Sequence, residues 1–112
     1  MQINALGFVE VSGTVAAVDA LDIMCKAADV HLVTWERKLG GRLVTLIVTG
    51  NVAAVSAAVE AAGEKGIRPV VASNVIPRPH EELVRILKET LNYRRCNPEE
   101  FPAAPKADKE DN

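Results

Sequence analysis

The chain has 112 residues, of which 48% are hydrophobic and 25% charged, a balance typical of one globular domain. A formal net charge of −2 gives no indication of a nucleic-acid partner, and no apolar run reaches the ~20 residues of a membrane span. Two cysteines are too few for a disulfide scaffold, so a reducing cytoplasmic interior is expected.

Hydrophobic patterns predict the element order βαββαβ, followed by one further helix. The strands are expected over residues 3–11, 30–37, 43–49 and 68–76, and the helices over 14–28, 52–62 and 80–91. Thr14 and Asn51 are the predicted caps of the first two helices, and Gly63 and Gly66 are predicted to end the second. The short glycine loop between the second and third strands indicates a hairpin.

This order predicts an α+β fold of ferredoxin-like topology, with an antiparallel four-stranded sheet and both crossover helices on one face. The other face is left to be covered by the last helix or exposed. Helical spacing predicts that one stripe of the first helix is buried, formed by Val15, Val18, Leu21 and Cys25. In the second helix, Val52, Val55 and Val59 share one side.

The end of the chain differs in composition from the rest. Residues 97–112 carry five acidic and two basic side chains, three prolines and one large apolar residue, Phe101. Such a stretch buries too little apolar surface to offset the entropy of ordering it. We therefore predict a folded domain over residues 1–92 and a flexible acidic tail over residues 93–112.

No catalytic motif is present among the known short signatures for nucleophiles, phosphate loops, zinc proteases or dinucleotide sites. Cys25 lies in a pattern of packed residues, and His31 is expected to be a packed or a surface histidine and not a ligand. Trp35 is expected to pack in the core, and Cys96 is expected to be an exposed thiol. The cysteines and histidines lack the close spacing of zinc ligands. We therefore expect no enzyme activity, no metal and no cofactor.

A basic loop, Lys38-Leu39-Gly40-Gly41-Arg42, follows Arg37 between the second and third strands. Two interpretations are open. The loop is either a solvated hairpin tip, or an anion-attracting loop in which glycine N–H groups are flanked by cations. Repeated around a symmetry axis, it would line a positively charged opening.

Four stretches of the chain, taken in order, carry a family resemblance. They are residues 5–13, 16–30, 43–55 and 75–80, and the last reads Val75-Ile76-Pro77-Arg78-Pro79-His80. In this order and spacing the chain resembles the hexamer-forming shell proteins of bacterial microcompartments, the BMC-domain family. The resemblance covers residues 2 to about 88.

The resemblance implies the same βαββαβ fold and a non-enzymatic, structural role. Flat homohexamers would tile, with other shell proteins, into the shell of a microcompartment in the cytoplasm. The shell would enclose enzymes, and small metabolites would cross by a pore on the hexamer axis. Neither nucleic acid nor a membrane is an implied partner.

The resemblance also implies roles for particular residues. The loop from Lys38 through Leu39, Gly40 and Gly41 to Arg42 corresponds to the pore lining, and the edge between hexamers corresponds to Lys26, Asp29, Arg78 and His80. Gly41 stands where the family commonly has serine, which would leave bare backbone at the narrowest point. Arg42 either points inward and favours anionic metabolites, or points outward and pairs with an acid between subunits.

A second function class is retained as an alternative. A trimeric, ferredoxin-like regulatory module could use residues 37–42 to bind a small anionic metabolite. The stretch Pro77-Arg78-Pro79-His80 together with Lys26 argues against it, because a sensor has no need of these residues. An RNA-binding domain is poorly supported, since the strands lack aromatics on which bases could stack.

Overall fold

A computed structural model describes residues 2–96 of the chain, and the side chains of residues 2–91. The strands are β1 (Ala5–Ser12), β2 (His31–Lys38), β3 (Leu43–Gly50) and β4 (Val70–Ile76). The helices are α1 (Thr14–Ala27), α2 (Val52–Lys65) and α3 (Glu81–Cys96), and a 3-10 turn over Leu39–Gly41 joins β2 to β3. The predicted order of elements is confirmed, and the acidic stretch 97–112 lies outside the described residues.

The four strands form one antiparallel sheet in the order β2-β3-β1-β4. This confirms the α+β class and the β2–β3 hairpin. Each edge strand contains one extra residue: Val33 in β2 lies between Leu32 and Thr34, and Val71 in β4 interrupts the pairing with β1. The bulge at Val33 turns its side chain away from the face that holds Trp35, although simple alternation places both on one face.

Two apolar clusters lie on opposite faces of the sheet. The larger one lies between the sheet and α1 and α2, and includes Val9, Met24, Leu46 and Val55. The smaller one consists of Leu6, Val33 and Ile47 from the sheet and Leu87 from α3, with Leu83 and Leu91 partly buried beside them. The second face of the sheet, which the sequence left open, is therefore partly covered by α3.

The predicted buried stripe of α1 is half wrong. Val15 and Val18 are 74% and 43% exposed, whereas Leu21 is buried and Cys25 is partly buried against the core. The residues of α1 that face the core are Ala16, Ala17, Ala20, Leu21 and Met24. Alanine lets the helix approach the sheet closely, and the bulkier valines are left outside.

The helix ends also differ in part from the predictions. Asn51 caps α2 as predicted, because its Oδ1 accepts a hydrogen bond of 2.8 Å from the Ala54 N–H. Gly63 does not end α2, which continues to Lys65 and stops at Gly66. One exposed glycine destabilises a helix by about 1 kcal/mol relative to alanine, and the packing of α2 on the sheet offsets this cost. Helix α3 extends to Cys96, which is past its expected end at residue 91 and past the predicted domain boundary at residue 92.

Candidate functional site

The loop between β2 and β3 has an unusual backbone. Leu39, Gly40 and Gly41 have φ angles of +55°, +67° and +92° in succession. Glycine adopts such angles freely, but Leu39 is the one non-glycine residue with positive φ in the described part of the chain. The Arg42 N–H donates a 3.3 Å hydrogen bond to the Leu39 carbonyl, which closes the turn.

Two hydrogen bonds fasten the loop to the start of α1. The Gly13 N–H donates to the Arg42 carbonyl at 2.9 Å, and the Thr14 hydroxyl donates to the Gly41 carbonyl at 3.4 Å. Thr14 was predicted to cap α1, but its side chain makes no cap hydrogen bond, and the cap position is Gly13. A Cβ atom on Gly41 would lie 2.8 Å from the Thr14 hydroxyl oxygen. Gly41 is buried, so the exposed part of the loop is Lys38, Leu39, Gly40 and Arg42.

Positive charge is concentrated around this loop. Lys38 and Arg42 are exposed, and no acidic side chain of the described residues pairs with either of them. The guanidinium carbon of Arg37 lies 5.9 Å from the ring centroid of Trp35, which is buried as predicted. The first turn of α1 contains no acidic residue, so the positive end of its dipole adds to the field of the cations.

The residues expected at the edge between hexamers form a second group, and the first of them, Lys26 and Asp29, lie at and just after the end of α1. Lys26 pairs with Asp22, one turn earlier, with 2.9 Å between Lys26 Nζ and Asp22 Oδ2. Asp29 Oδ1 lies 3.9 Å from His31 Nε2. All four side chains are about half exposed or more, so neither contact adds much to the stability of the fold.

His80 has a specific structural function at the start of α3. Its Nδ1 accepts a 3.0 Å hydrogen bond from the Glu82 N–H, and its carbonyl accepts from the N–H groups of Leu83 and Val84. His80 therefore caps α3. The position just after Pro79 and before two glutamates was the available signal, but histidine is not among the usual capping residues. Arg78 is exposed in the turn between β4 and α3.

Strand register places the two groups at opposite ends of the sheet. Lys38 pairs with Leu43 at the end where the loop lies, and the same Leu43 pairs with Ser12. His31 pairs with Thr49 at the other end, where β4 also ends at Ile76. Strands of eight residues separate these ends by about 25 Å. Lys26, Asp29, Arg78 and His80 therefore belong to the end of the molecule opposite the loop.

Other chemistry is sparse in residues 2–96. No group of three or more His, Cys, Asp or Glu side chains there could hold a metal ion. The Arg85 guanidinium donates hydrogen bonds to the carboxylates of Glu82 and Glu89, which raise the pKa of Arg85 above its usual value, so α3 carries a charged group on its exposed side. Among the described helices, none is both long and apolar enough to span a membrane.

Sequence comparisons identify the family. The model of the BMC domain matches residues 5–79. The bacterial microcompartment shell protein PduA of Citrobacter freundii is 47% identical over 94 residues, which cover 82% of this chain and 100% of PduA. The shell protein EutM of Escherichia coli is 45% identical over 85 residues, covering 74% of this chain and 87% of EutM.

A carboxysome protein and a solved structure agree with this result. The carboxysome shell protein CsoS1A of Hydrogenovibrio crunogenus is 44% identical over 86 residues, covering 74% of this chain and 88% of that protein. A crystal structure of a microcompartment protein from Desulfitobacterium hafniense superposes with a TM-score of 0.67 at 33% identity. The match covers 76% of this chain and 49% of that one. These relatives do not favour the regulatory-module alternative, and the chain belongs to the BMC-domain family of bacterial microcompartment shell proteins.

Proposed function

We propose that this chain is a structural subunit of a bacterial microcompartment shell in the cytoplasm, and that it assembles as a cyclic homohexamer with a central pore. The observation that carries the proposal is the 47% identity to a shell protein over that protein's entire length. The relatives PduA and EutM are named as shell proteins, which supports a subunit that is structural and not an enzyme.

The proposed ring brings six copies of the loop together at its axis. The loop lies at one end of the sheet, and Lys26, Asp29, Arg78 and His80 belong to the other end, so a radial arrangement separates pore from periphery. The proposed pore residues are Lys38, Leu39, Gly40 and Arg42, with the buried Gly41 supporting them from behind. We propose that Arg42, which is exposed and ends the same loop as the exposed Lys38, faces the pore.

The outer ends of the subunits are proposed to meet across the contact between hexamers. Lys26 and Arg78 are exposed and have long apolar stems that can cover a neighbour's surface while their charged heads bond to carbonyl oxygens. Asp29 lies beside Lys26 in sequence. His80 follows Arg78 by two residues and caps the start of α3, so it ties the end of the turn that contains Arg78 to the helix.

The partners of the assembled shell follow from this function. The chain is proposed to tile with other shell proteins of the same compartment and to face the enzymes that the shell encloses. Small metabolites would cross through the pore, and neither nucleic acid nor a membrane is a proposed partner. The acidic tail, predicted over residues 93–112, is outside the shell domain in this proposal, although its first four residues continue α3 to Cys96.

The proposal is tested by native mass spectrometry and negative-stain electron microscopy of the same purified sample. We expect six-fold particles of about 72 kDa, six times the 12.0 kDa chain, and sheets or tubes built from them. A trimer or monomer that forms no sheets at any protein concentration would contradict the proposal. A trimer that binds a small anion stoichiometrically would support the regulatory module instead.

A further inference from the structure

We infer that the six Leu39 side chains form the constriction of the central opening, as an apolar collar between cationic residues, and that Thr14 holds the loop in the conformation that presents them. This inference rests on the proposed hexamer. It assigns the narrowest point of the pore to Leu39. The family resemblance alone had implied that this point lies at Gly41, the position at which the family commonly has serine.

The first observation is the combination of backbone and exposure at Leu39. Its φ of +55° lies in the left-handed region, which costs energy for any residue with a Cβ atom. Leu39 is nevertheless 71% exposed, so burial of its side chain within the same chain does not compensate for the strained backbone. A large apolar side chain held in solvent by a strained backbone is the kind of outlier that marks a functional position.

The second observation is that the neighbouring residues are less suited to the narrowest point. Gly41 is buried beneath the Thr14 hydroxyl, and Gly40 has no side chain. Lys38 and Arg42 have flexible, hydrated heads whose like charges repel one another around an axis. Leu39 is therefore the residue of the loop that can form a compact ring.

The third observation is that hydrogen bonds to the start of α1 hold the backbone of the loop in place. The Gly13 N–H holds the Arg42 carbonyl at 2.9 Å, and the Thr14 hydroxyl holds the Gly41 carbonyl at 3.4 Å. Both partners belong to the start of α1, which is packed on the sheet through Ala16 and Ala17. Leu39 therefore cannot retract toward the core without breaking these bonds.

Such a collar favours one chemical class of permeant. Lys38 and Arg42 flank Leu39 in the loop and attract anions, whereas an apolar ring penalises the passage of ions that must keep a full hydration shell. Small organic anions with an apolar part can contact the leucines and shed less water. We therefore assign the opening to small organic carboxylates or phosphates in preference to inorganic anions such as chloride.

Disulfide cross-linking tests where Leu39 lies. Around a six-fold axis, neighbouring copies of a residue are as far apart as each is from the axis, and a disulfide forms only when the two Cα atoms lie within about 7 Å. Leu39→Cys, treated with a mild oxidant, should give covalent dimers on a non-reducing gel. Val52→Cys is the matched control, since Val52 is also an exposed apolar residue but lies at the start of α2, and it should give none.

The outcomes separate the inference from the function on which it depends. Native mass is measured first, and a failure of the unmodified chain to form hexamers overturns the proposed function itself. Intact hexamers of Leu39→Cys that cross-link no faster than Val52→Cys overturn the inference alone. Thr14→Val added to Leu39→Cys should slow cross-linking several-fold while Thr14→Ser should not, and equal rates would remove Thr14 from the inference.

The permeant class is tested by single-channel conductance of hexamers in a planar bilayer, with potassium chloride and potassium butyrate as the two salts. The chain should favour butyrate over chloride more strongly than Leu39→Ala does, because the shorter side chain opens the collar. An unchanged ratio of the two conductances in Leu39→Ala would overturn the assignment of organic anions.

Discussion

Gly7 lies in β1 where the strand packs closely against α2. A Cβ atom placed on it would come within 2.7 Å of Val55 Cγ1 and 3.0 Å of Val59 Cγ2. We expect Gly7→Ala to lower the free energy of unfolding by about 1–3 kcal/mol, because both valines belong to a packed helix that cannot move freely. Denaturant unfolding at fixed protein concentration measures the change.

Gly63→Ala is the control for that change, since it adds the same methyl group. Gly63 lies inside α2, and nothing lies within 4 Å of the position of its missing Cβ. Alanine should there raise the free energy of unfolding by up to about 1 kcal/mol. Equal effects of the two substitutions would show that the packing around Gly7 is looser than described.

Arg42→Glu tests the direction of the Arg42 side chain. With Arg42 facing the pore, the variant should keep the hexamer mass and should conduct anions several-fold less well, because six cations become six anions. Arg68→Glu, an equal charge change at an exposed residue before β4, should leave conductance unchanged. Loss of the hexamer in Arg42→Glu would instead indicate that Arg42 pairs with an acid between subunits.

At the residue scale, the sequence predicted one helix cap and the burial of individual large apolar side chains. The Asn51 cap and the burial of Trp35 and Leu21 are confirmed. Val15 and Val18 were misplaced because helical periodicity shows which residues share a stripe but not which stripe faces the sheet. The contact between Thr14 and Gly41 spans 27 positions of sequence, and no local pattern reveals it.

At the element scale, the N-terminus of α3 depends on the His80 imidazole. His80→Ala removes the acceptor of the Glu82 N–H, which for a helix cap costs about 1 kcal/mol, whereas His80→Asn supplies another acceptor. Hydrogen exchange at Glu82 should therefore be about five-fold faster in His80→Ala than in His80→Asn. Identical exchange in the two variants would contradict the capping function of His80.

The order and type of the elements followed from hydrophobic periodicity, whereas several of their ends and both strand irregularities did not. Gly63 suggests a helix end, yet the hydrogen bond that closes α2 is formed by Gly66 with the Ala62 carbonyl. The bulge at Val33 has no sequence signature, because Val33 and Thr34 are both ordinary strand residues. Such details arise from packing between elements, which single-sequence patterns do not contain.

At the scale of the whole molecule, Lys26 is predicted to control tiling and not folding. Lys26→Ala should leave hexamers intact and abolish sheets in electron micrographs, because the proposed contact between hexamers loses a long side chain at every edge. Lys65→Ala is the matched control, since Lys65 also lies in the last turn of its helix and its loss affects the helix dipole equally. Sheets that persist in Lys26→Ala would contradict the edge assignment.

The candidate site could be predicted only in part. The basic loop is visible in the residues themselves, because three cations surround two glycines. The edge residues came from family resemblance, since Lys26 and Arg78 are 52 positions apart and share no local pattern. Their location at the end of the sheet opposite the loop depends on strand register, which the structure supplies.

The extra residues in the two edge strands bear on how copies of the chain can associate. A regular, exposed edge strand is a template on which further chains add strand by strand, and such growth ends in fibrils. Val33 in β2 and Val71 in β4 interrupt the even spacing of N–H and C=O groups on both open edges. A subunit of a protein shell is thereby directed away from amyloid-like stacking and toward contacts between side chains.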